Sequence, residues 1–143
     1  MRIYLAGRIG NDFEYASSWR KNVTKMCEDL DIKAISPEIG SEYFVENLDL
    51  VVTLDLALID SVDLVLANVG PSEDTVLTGT VCEVFYATQI KRIPVIAFVL
   101  NDEKPSNQVK SPWLGQFFSP RYHVHKYSEL NSVLYEWKRV LYR

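Results

Sequence analysis

Two apolar runs joined by a polar loop and a helix-forming stretch, together spanning Val62 to Phe98, constrain this chain more than any other feature. Val62, Leu64, Val65, Leu66 and Ala67 make the first run, and Pro94 to Leu100 repeats its character. A run without polar alternation suits a strand covered on both faces, as in a parallel sheet buried between helices. Between the runs, Gly79 and Thr80 open a predicted helix that reaches about Ile90. In open parallel sheets, ligands bind beyond the carboxyl ends of the strands, where helix amino ends present unpaired N–H groups. Glu83 falls in the first turn of the predicted helix. A carboxylate there is either a favourable charge at a helix terminus or a reactive group facing the crevice.

Taken from its start, the chain opens with a predicted strand, Arg2 to Ala6, that runs into Gly7-Arg8-Ile9-Gly10. The glycines allow a tight turn or a close approach to a ligand. The pattern is not GxGxxG, and GxxxxGK[ST] does not occur, so dinucleotide and P-loop readings lose their main support. Arg8 suits a phosphate or a carboxylate, and a solvated arginine accounts for it equally. From Tyr15 to Leu30, Trp19, Val23, Met26, Cys27 and Leu30 recur at helical intervals. Ser17 or Ser18 serves as cap if that helix begins late. Trp19 reads as a core residue whose ring edge, with Arg20, borders the Gly7 to Gly10 loop. Asp31 breaks the helix, and Ile32 to Ser36 forms a second strand ended by Pro37.

Glu38 to Leu50 is acidic and irregular, and a long loop in a compact domain often covers a site. Val52 to Ile59 resumes helical periodicity and delivers Asp55 before the third strand, with Asp63 as a cap or turn residue. After Leu100, the stretch to Ser111 reads as a loop, and Pro112 to Tyr122 as an aromatic lid or subunit contact. Tyr122 to His125 makes a short fifth strand. Leu130, Val133, Leu134, Trp137, Val140 and Leu141 form the stripe of a closing helix. His123 and His125 have no Cys or third His nearby, so no metal is expected.

The order implies a small α/β three-layer sandwich. Its sheet is mostly parallel and five-stranded, with a flavodoxin-like 2-1-3-4-5 order. The 143 residues suit one domain spanning 1–143, and 48% hydrophobic content excludes disorder. A net charge of −4 argues against a nucleic-acid polymer as partner. No apolar run approaches the roughly 20 residues of a membrane span, and no signal-peptide pattern follows Met1. The expectation is a cytoplasmic protein with no membrane partner, and with Cys27 and Cys82 reduced and buried.

Several of these residues together resemble the nucleoside 2-deoxyribosyltransferase superfamily, which includes N-glycosidases of deoxynucleoside 5′-monophosphates. They are Tyr4-Leu5-Ala6-Gly7, Trp19-Arg20, Asp55 eight residues before Asp63, Gly79-Thr80-Val81-Cys82-Glu83, and Ala87 before Pro94-Val95-Ile96. The resemblance covers the first hundred residues or so. It implies that Glu83 is the nucleophile attacking C1′ of a deoxyribose, that Asp55 serves the base as proton donor or hydrogen-bond partner, and that Tyr4 orients the glutamate. The expected substrate-binding residues are Gly7, Arg8, Trp19, Glu38, Asp74, Thr78 and Gly79. No cofactor is implied. The partners are a small deoxynucleoside or deoxynucleotide and a free nucleobase acceptor, and a neighbouring subunit completes the site. With aromatic Trp113, Phe117, Phe118 and Tyr122 in one irregular segment, at least a homodimer is expected.

The chemistry accounts for these residue types. Breaking an N-glycosidic bond builds positive charge at C1′, which a nearby carboxylate stabilises and then traps, while the departing base needs a proton from a carboxyl of raised pKa. A helix N-terminus would keep Glu83 ionised. Two alternatives stay open beside these roles: Asp55 as a cap or structural residue, and Tyr4 as an aromatic packed under the first helix. The chain departs from the transferases at Leu77, where they carry a sugar-binding aspartate six residues before the glutamate. Asp74, Ser72 or Thr78 is left to fill that role. The departure keeps hydrolysis of deoxynucleoside monophosphates as the alternative to base transfer. A non-enzymatic nucleotide-binding module is the third reading.

Overall fold

The structure, a computed structural model, describes residues 1–7, 13–37, 48–70, 78–100, 113–114 and 124–142. Five strands form one sheet: β1 (Arg2–Gly7), β2 (Lys33–Ile35), β3 (Leu64–Asn68), β4 (Val95–Val99) and β5 (Val124–Lys126). All neighbours pair in parallel, in the order β2-β1-β3-β4-β5. Both the α/β class and the strand order are those the sequence implies. Four α-helices are described: α1 (Phe13–Asp29), α2 (Leu48–Ile59), α3 (Thr78–Phe85) and α4 (Leu130–Leu141).

Alternation along each strand sends side chains to two cores. Ile3, Leu5, Leu64, Leu66, Ile96 and Phe98 meet Trp19, Val23 and Cys27 of α1 and Leu130 and Leu134 of α4. On the other face, Tyr4, Ala6, Val65, Ala67, Val95 and Ala97 meet Ile59 of α2, Val84 of α3 and Ala87. The central strands β3 and β4 are buried at every position, which is why their sequences show no polar alternation.

The helices differ in detail from expectation. Helix α1 starts at Phe13, so Ser17 and Ser18 lie inside it and cap nothing. At its far end Asp31 takes φ 52, Ile32 N–H donates to Cys27 O at 2.8 Å and Asp31 N–H donates to Glu28 O at 2.9 Å. This is a Schellman ending with aspartate in the left-handed position, and Ile32 and Cys27 supply its apolar contact. Helix α2 starts at Leu48 rather than Val52, with Asp49 favourable in its first turn. Helix α3 does not run unbroken to Ile90. It gives way to a π-helical turn, Tyr86–Ile90, in which Lys91 N–H reaches back to Tyr86 O at 3.0 Å. The closing helix has the bounds its stripe predicts. Among the described residues, no helix is long and apolar enough to cross a membrane.

Candidate active site

The carboxyl ends of β1 and β3 and the second turn of α3 bring the site residues together. Tyr4 is fully buried and points to the face covered by α2 and α3. It therefore does not pack under α1, the alternative that its sequence position left open. Its hydroxyl donates to Glu83 Oε1 at 2.7 Å. Among the described residues, Glu83 Oε2 accepts no hydrogen bond.

Glu83 is the sixth residue of α3, past the first turn, because the helix begins at Thr78. The helix dipole fades within one turn, so it does not hold this group ionised as the sequence reading expected. Burial pushes the Glu83 carboxyl up to about 7. The Tyr4 hydrogen bond and the charge of Arg20 pull against that rise, and the neighbouring Asp55 adds to it. Asp55 sits well inside α2 and is half-buried, which excludes a helix-capping role. Burial raises its carboxyl too, opposed by the Tyr4 hydroxyl and by Arg20. The tyrosine answers to the same neighbours, since burial and the charge of Glu83 hold its hydroxyl protonated and therefore a donor. Two carboxyls near one phenol are thus both raised, chiefly by burial.

Gly7 ends β1, and a Cβ there would lie 2.7 Å from Trp19 Cζ2, so the glycine is what lets Trp19 close over the strand end. Trp19 is core, as expected, and stacks edge-on with Phe98 at 5.6 Å between ring centroids. Its buried indole N–H has no hydrogen-bond partner among the described residues. Thr78 and Gly79 lie exposed at the start of α3, and a Cβ on Gly79 would meet nothing within 4 Å. That opening leaves room for a ligand to approach the backbone. Arg8, Glu38 and Asp74 lie outside the described residues, as does the question of which residue replaces the aspartate absent at Leu77.

Two further polar residues sit at this edge: Arg20, which the sequence reading places beside the Gly7 loop without a role of its own, and Asn68, which it does not single out. Arg20, only 3% exposed, donates from Nη2 to Gly7 O at 2.7 Å and from Nη1 to Ala16 O at 3.0 Å. Asn68, buried at the end of β3, accepts from Gly70 N–H at 3.3 Å and donates to the Tyr15 hydroxyl at 3.5 Å. Both were detectable as polar side chains at positions whose periodicity is apolar.

Other expectations resolve away from the site. Cys27 is buried, and burial pushes its thiol up to about 12, leaving it unreactive at neutral pH. Cys82 is exposed rather than buried, because α3 turns Thr80 and Val84 inward and Cys82 outward. Among the described residues, no cluster of His, Cys, Asp or Glu has the makings of a metal site, and His125 lies 3.8 Å from Glu129. Of the aromatics expected to form a subunit contact, only Trp113 is described, and it is exposed.

No family model matches the sequence, and no curated protein is similar to it. Among solved structures, the chain is similar to a CMP N-glycosidase of Clostridium botulinum, with a TM-score of 0.61 and 16% identity over 96% of this chain and 99% of that one. It is also similar to a 2-deoxyribosyltransferase of Leishmania mexicana, with a TM-score of 0.50 and 19% identity over 70% of this chain and 65% of that one. The chain therefore has the fold shared by an N-glycosidase and a deoxyribosyltransferase.

Proposed function

We propose that this protein is a nucleoside 2-deoxyribosyltransferase that cleaves the N-glycosidic bond of a 2′-deoxynucleoside and passes the sugar to another nucleobase. The observation that carries the proposal is the Tyr4 to Glu83 hydrogen bond of 2.7 Å beside a second carboxyl, Asp55, raised in the same way. In the first half-reaction the free oxygen of ionised Glu83 attacks C1′. The bond from C1′ to the base nitrogen breaks, its electron pair leaves with the base, and Asp55 supplies the proton. In the second, a nitrogen of the incoming base attacks C1′, the bond to Glu83 breaks, and the incoming base returns a proton to Asp55. Tyr4 fixes the rotamer of Glu83 and tempers its charge.

A second reading, N-glycoside hydrolysis of a 2′-deoxynucleoside 5′-monophosphate, is favoured by the likeness to a CMP N-glycosidase along nearly the whole chain. It is also favoured by Leu77 standing where the transferases carry an aspartate. Water then replaces the acceptor base in the second half-reaction. Chromatography of a deoxynucleoside and of its monophosphate, each with and without added adenine, separates the readings. A transferase converts thymidine and adenine to deoxyadenosine. Release of base with free sugar or sugar phosphate, at a rate that adenine does not change, selects the hydrolase. Binding of nucleotide without release of base would reduce the protein to a binding module.

A further inference from the structure

A cavity of about 500 Å³ lies between α1 and the residues that follow β2. Helix α1 lines it with Ser17, Lys21, Thr24, Lys25 and Glu28 beside buried Arg20, and the end of β2 adds Ser36 and Pro37. Ser17, Lys21, Thr24 and Glu28 follow one another at intervals of three and four, so they share one face of the helix. The proposed reaction does not use this cavity. Helix α1 packs on the face of the sheet opposite the one to which Tyr4 points, and none of Tyr4, Asp55 and Glu83 lines the space. Its volume falls within the range of roughly 300 to 1,000 Å³ that small-molecule sites occupy, well beyond the needs of a bare ion.

We propose that this cavity binds a small phosphorylated sugar, with Lys21 and Lys25 on its phosphate and Ser17, Thr24 and Ser36 on its hydroxyls. Two lysines four residues apart on a helix repel one another and weaken it. Among the described residues neither makes an ion pair, although Glu28 stands only three residues after Lys25. Three cations and one carboxylate thus line a cavity in a chain whose net charge is −4. A concave surface lined by one sign of charge concentrates ligands of the other, and phosphate oxygens accept strong hydrogen bonds from ammonium groups. The hydroxyls add a second signal. Thr53 and Thr88 turn back to the carbonyls of Asp49 and Val84, four residues before them, as hydroxyls inside helices commonly do. Ser17 and Thr24 make no such bond among the described residues, so their hydroxyls stay available to both donate and accept, as sugar hydroxyls require. No aromatic side chain lines the cavity among the described residues, which leaves a nucleobase nothing to stack on. The hydrolytic reading would release a compound of this class, 2-deoxyribose 5-phosphate, but the site does not depend on that reaction.

The test titrates the protein with 2-deoxyribose 5-phosphate and, separately, with 2-deoxyribose, inorganic phosphate and a deoxynucleoside 5′-monophosphate. Amide NMR locates the ligand and calorimetry gives its affinity. With the sugar phosphate, the resonances of residues 17–28 and of Ser36 should move and saturate, and the three other compounds should bind more weakly there. Lys21→Gln combined with Lys25→Gln should weaken binding at least about tenfold, since two charge-assisted hydrogen bonds are lost. Both lysines are exposed, so the double variant should fold and release base like the parent. An affinity unchanged in the double variant, or shifts confined to the surroundings of Tyr4 and Glu83, would overturn the proposal. Inorganic phosphate binding as tightly as the sugar phosphate would reduce the site to an adventitious ion only, and tighter binding of the nucleotide would overturn the choice of ligand class. Lysine-dependent binding in a protein that cleaves no nucleoside would defeat the proposed reaction and leave this site standing.

Discussion

At the amino end of the sheet, Asp63 accepts from the Arg2 backbone N–H at 2.7 Å and from the Tyr142 hydroxyl at 2.7 Å, and Asp60 pairs with Lys91 at 3.0 Å. At the carboxyl end, Glu83 accepts from the Tyr4 hydroxyl at 2.7 Å with half-buried Asp55 as its neighbour. The first pair of carboxylates is held below the ordinary range, Asp63 chiefly by the Arg2 backbone N–H and Asp60 chiefly by Lys91. The second pair is held above it, chiefly by burial. Donors near solvent make a carboxylate a fastener. Burial and a like-charged neighbour make it a reagent, whose ionisation opposes folding and serves chemistry. One sheet thus carries structural carboxylates at one end and, on the proposed reading, catalytic ones at the other.

The contrast breaks most sharply at Glu83. Glu83→Ala should lower kcat/KM for base release by about a thousandfold or more, the order expected of a nucleophile, with the circular dichroism spectrum of the parent retained. Asp55→Asn should cost about a hundredfold to ten-thousandfold, with the larger losses on bases that leave poorly, because an amide has no carboxylic proton to give. A uniform loss across bases would make Asp55 a positioning residue.

Stability sharpens the comparison in the opposite sense. Glu83 has a folded-state pKa raised from 4.5 to about 7, so the native state binds the proton more tightly than the unfolded chain does. Its contribution is fully present below 4.5 and is lost as pH rises through about 7. Glu83→Gln removes that loss while its amide oxygen can still accept from Tyr4. The variant should therefore gain stability over the parent above neutrality, by about 3 kcal/mol at most, and little at pH 4, as read by denaturant unfolding at the two pH values. Asp63 runs the other way. Its depressed pKa gives stability above the unfolded value of 3.8 that disappears as pH falls through the native one. Asp63→Asn should lower stability by about 1 kcal/mol at neutral pH and less in acid, with base release unchanged.

The sheet was legible because buried parallel strands have to be apolar at every position, and Leu64 to Ala67 and Val95 to Val99 are. Elements that rest on three pairs, such as β5, shift by a residue or two because so short a run carries little pattern. The pairing of Glu83 with Tyr4 was legible, but the place of Glu83 in its helix was not. Apolar periodicity locates a helix face better than a helix start, and α3 begins at Thr78 and changes pitch at Tyr86. Arg20 was legible in principle. It occupies a position on the inward stripe of Ala16, Val23 and Cys27, and a charge on such a stripe needs a buried counterpart. Asp55 is half-buried one turn before buried Ile59 and carries the same signal. What no local pattern contains is that these charges, from α1, α2 and α3, converge on Tyr4; only the order of the strands brings them there.

The central claim is that a half-buried, reluctantly ionised Glu83 performs the cleavage, and the pH dependence of kcat/KM for base release tests it most directly. The account predicts an acid limb near 7, where Glu83 takes up its proton, and no comparable turnover at any pH in Glu83→Gln. An acid limb near 4.5, the ordinary value for a glutamate, or turnover in Glu83→Gln close to that of the parent, would contradict it.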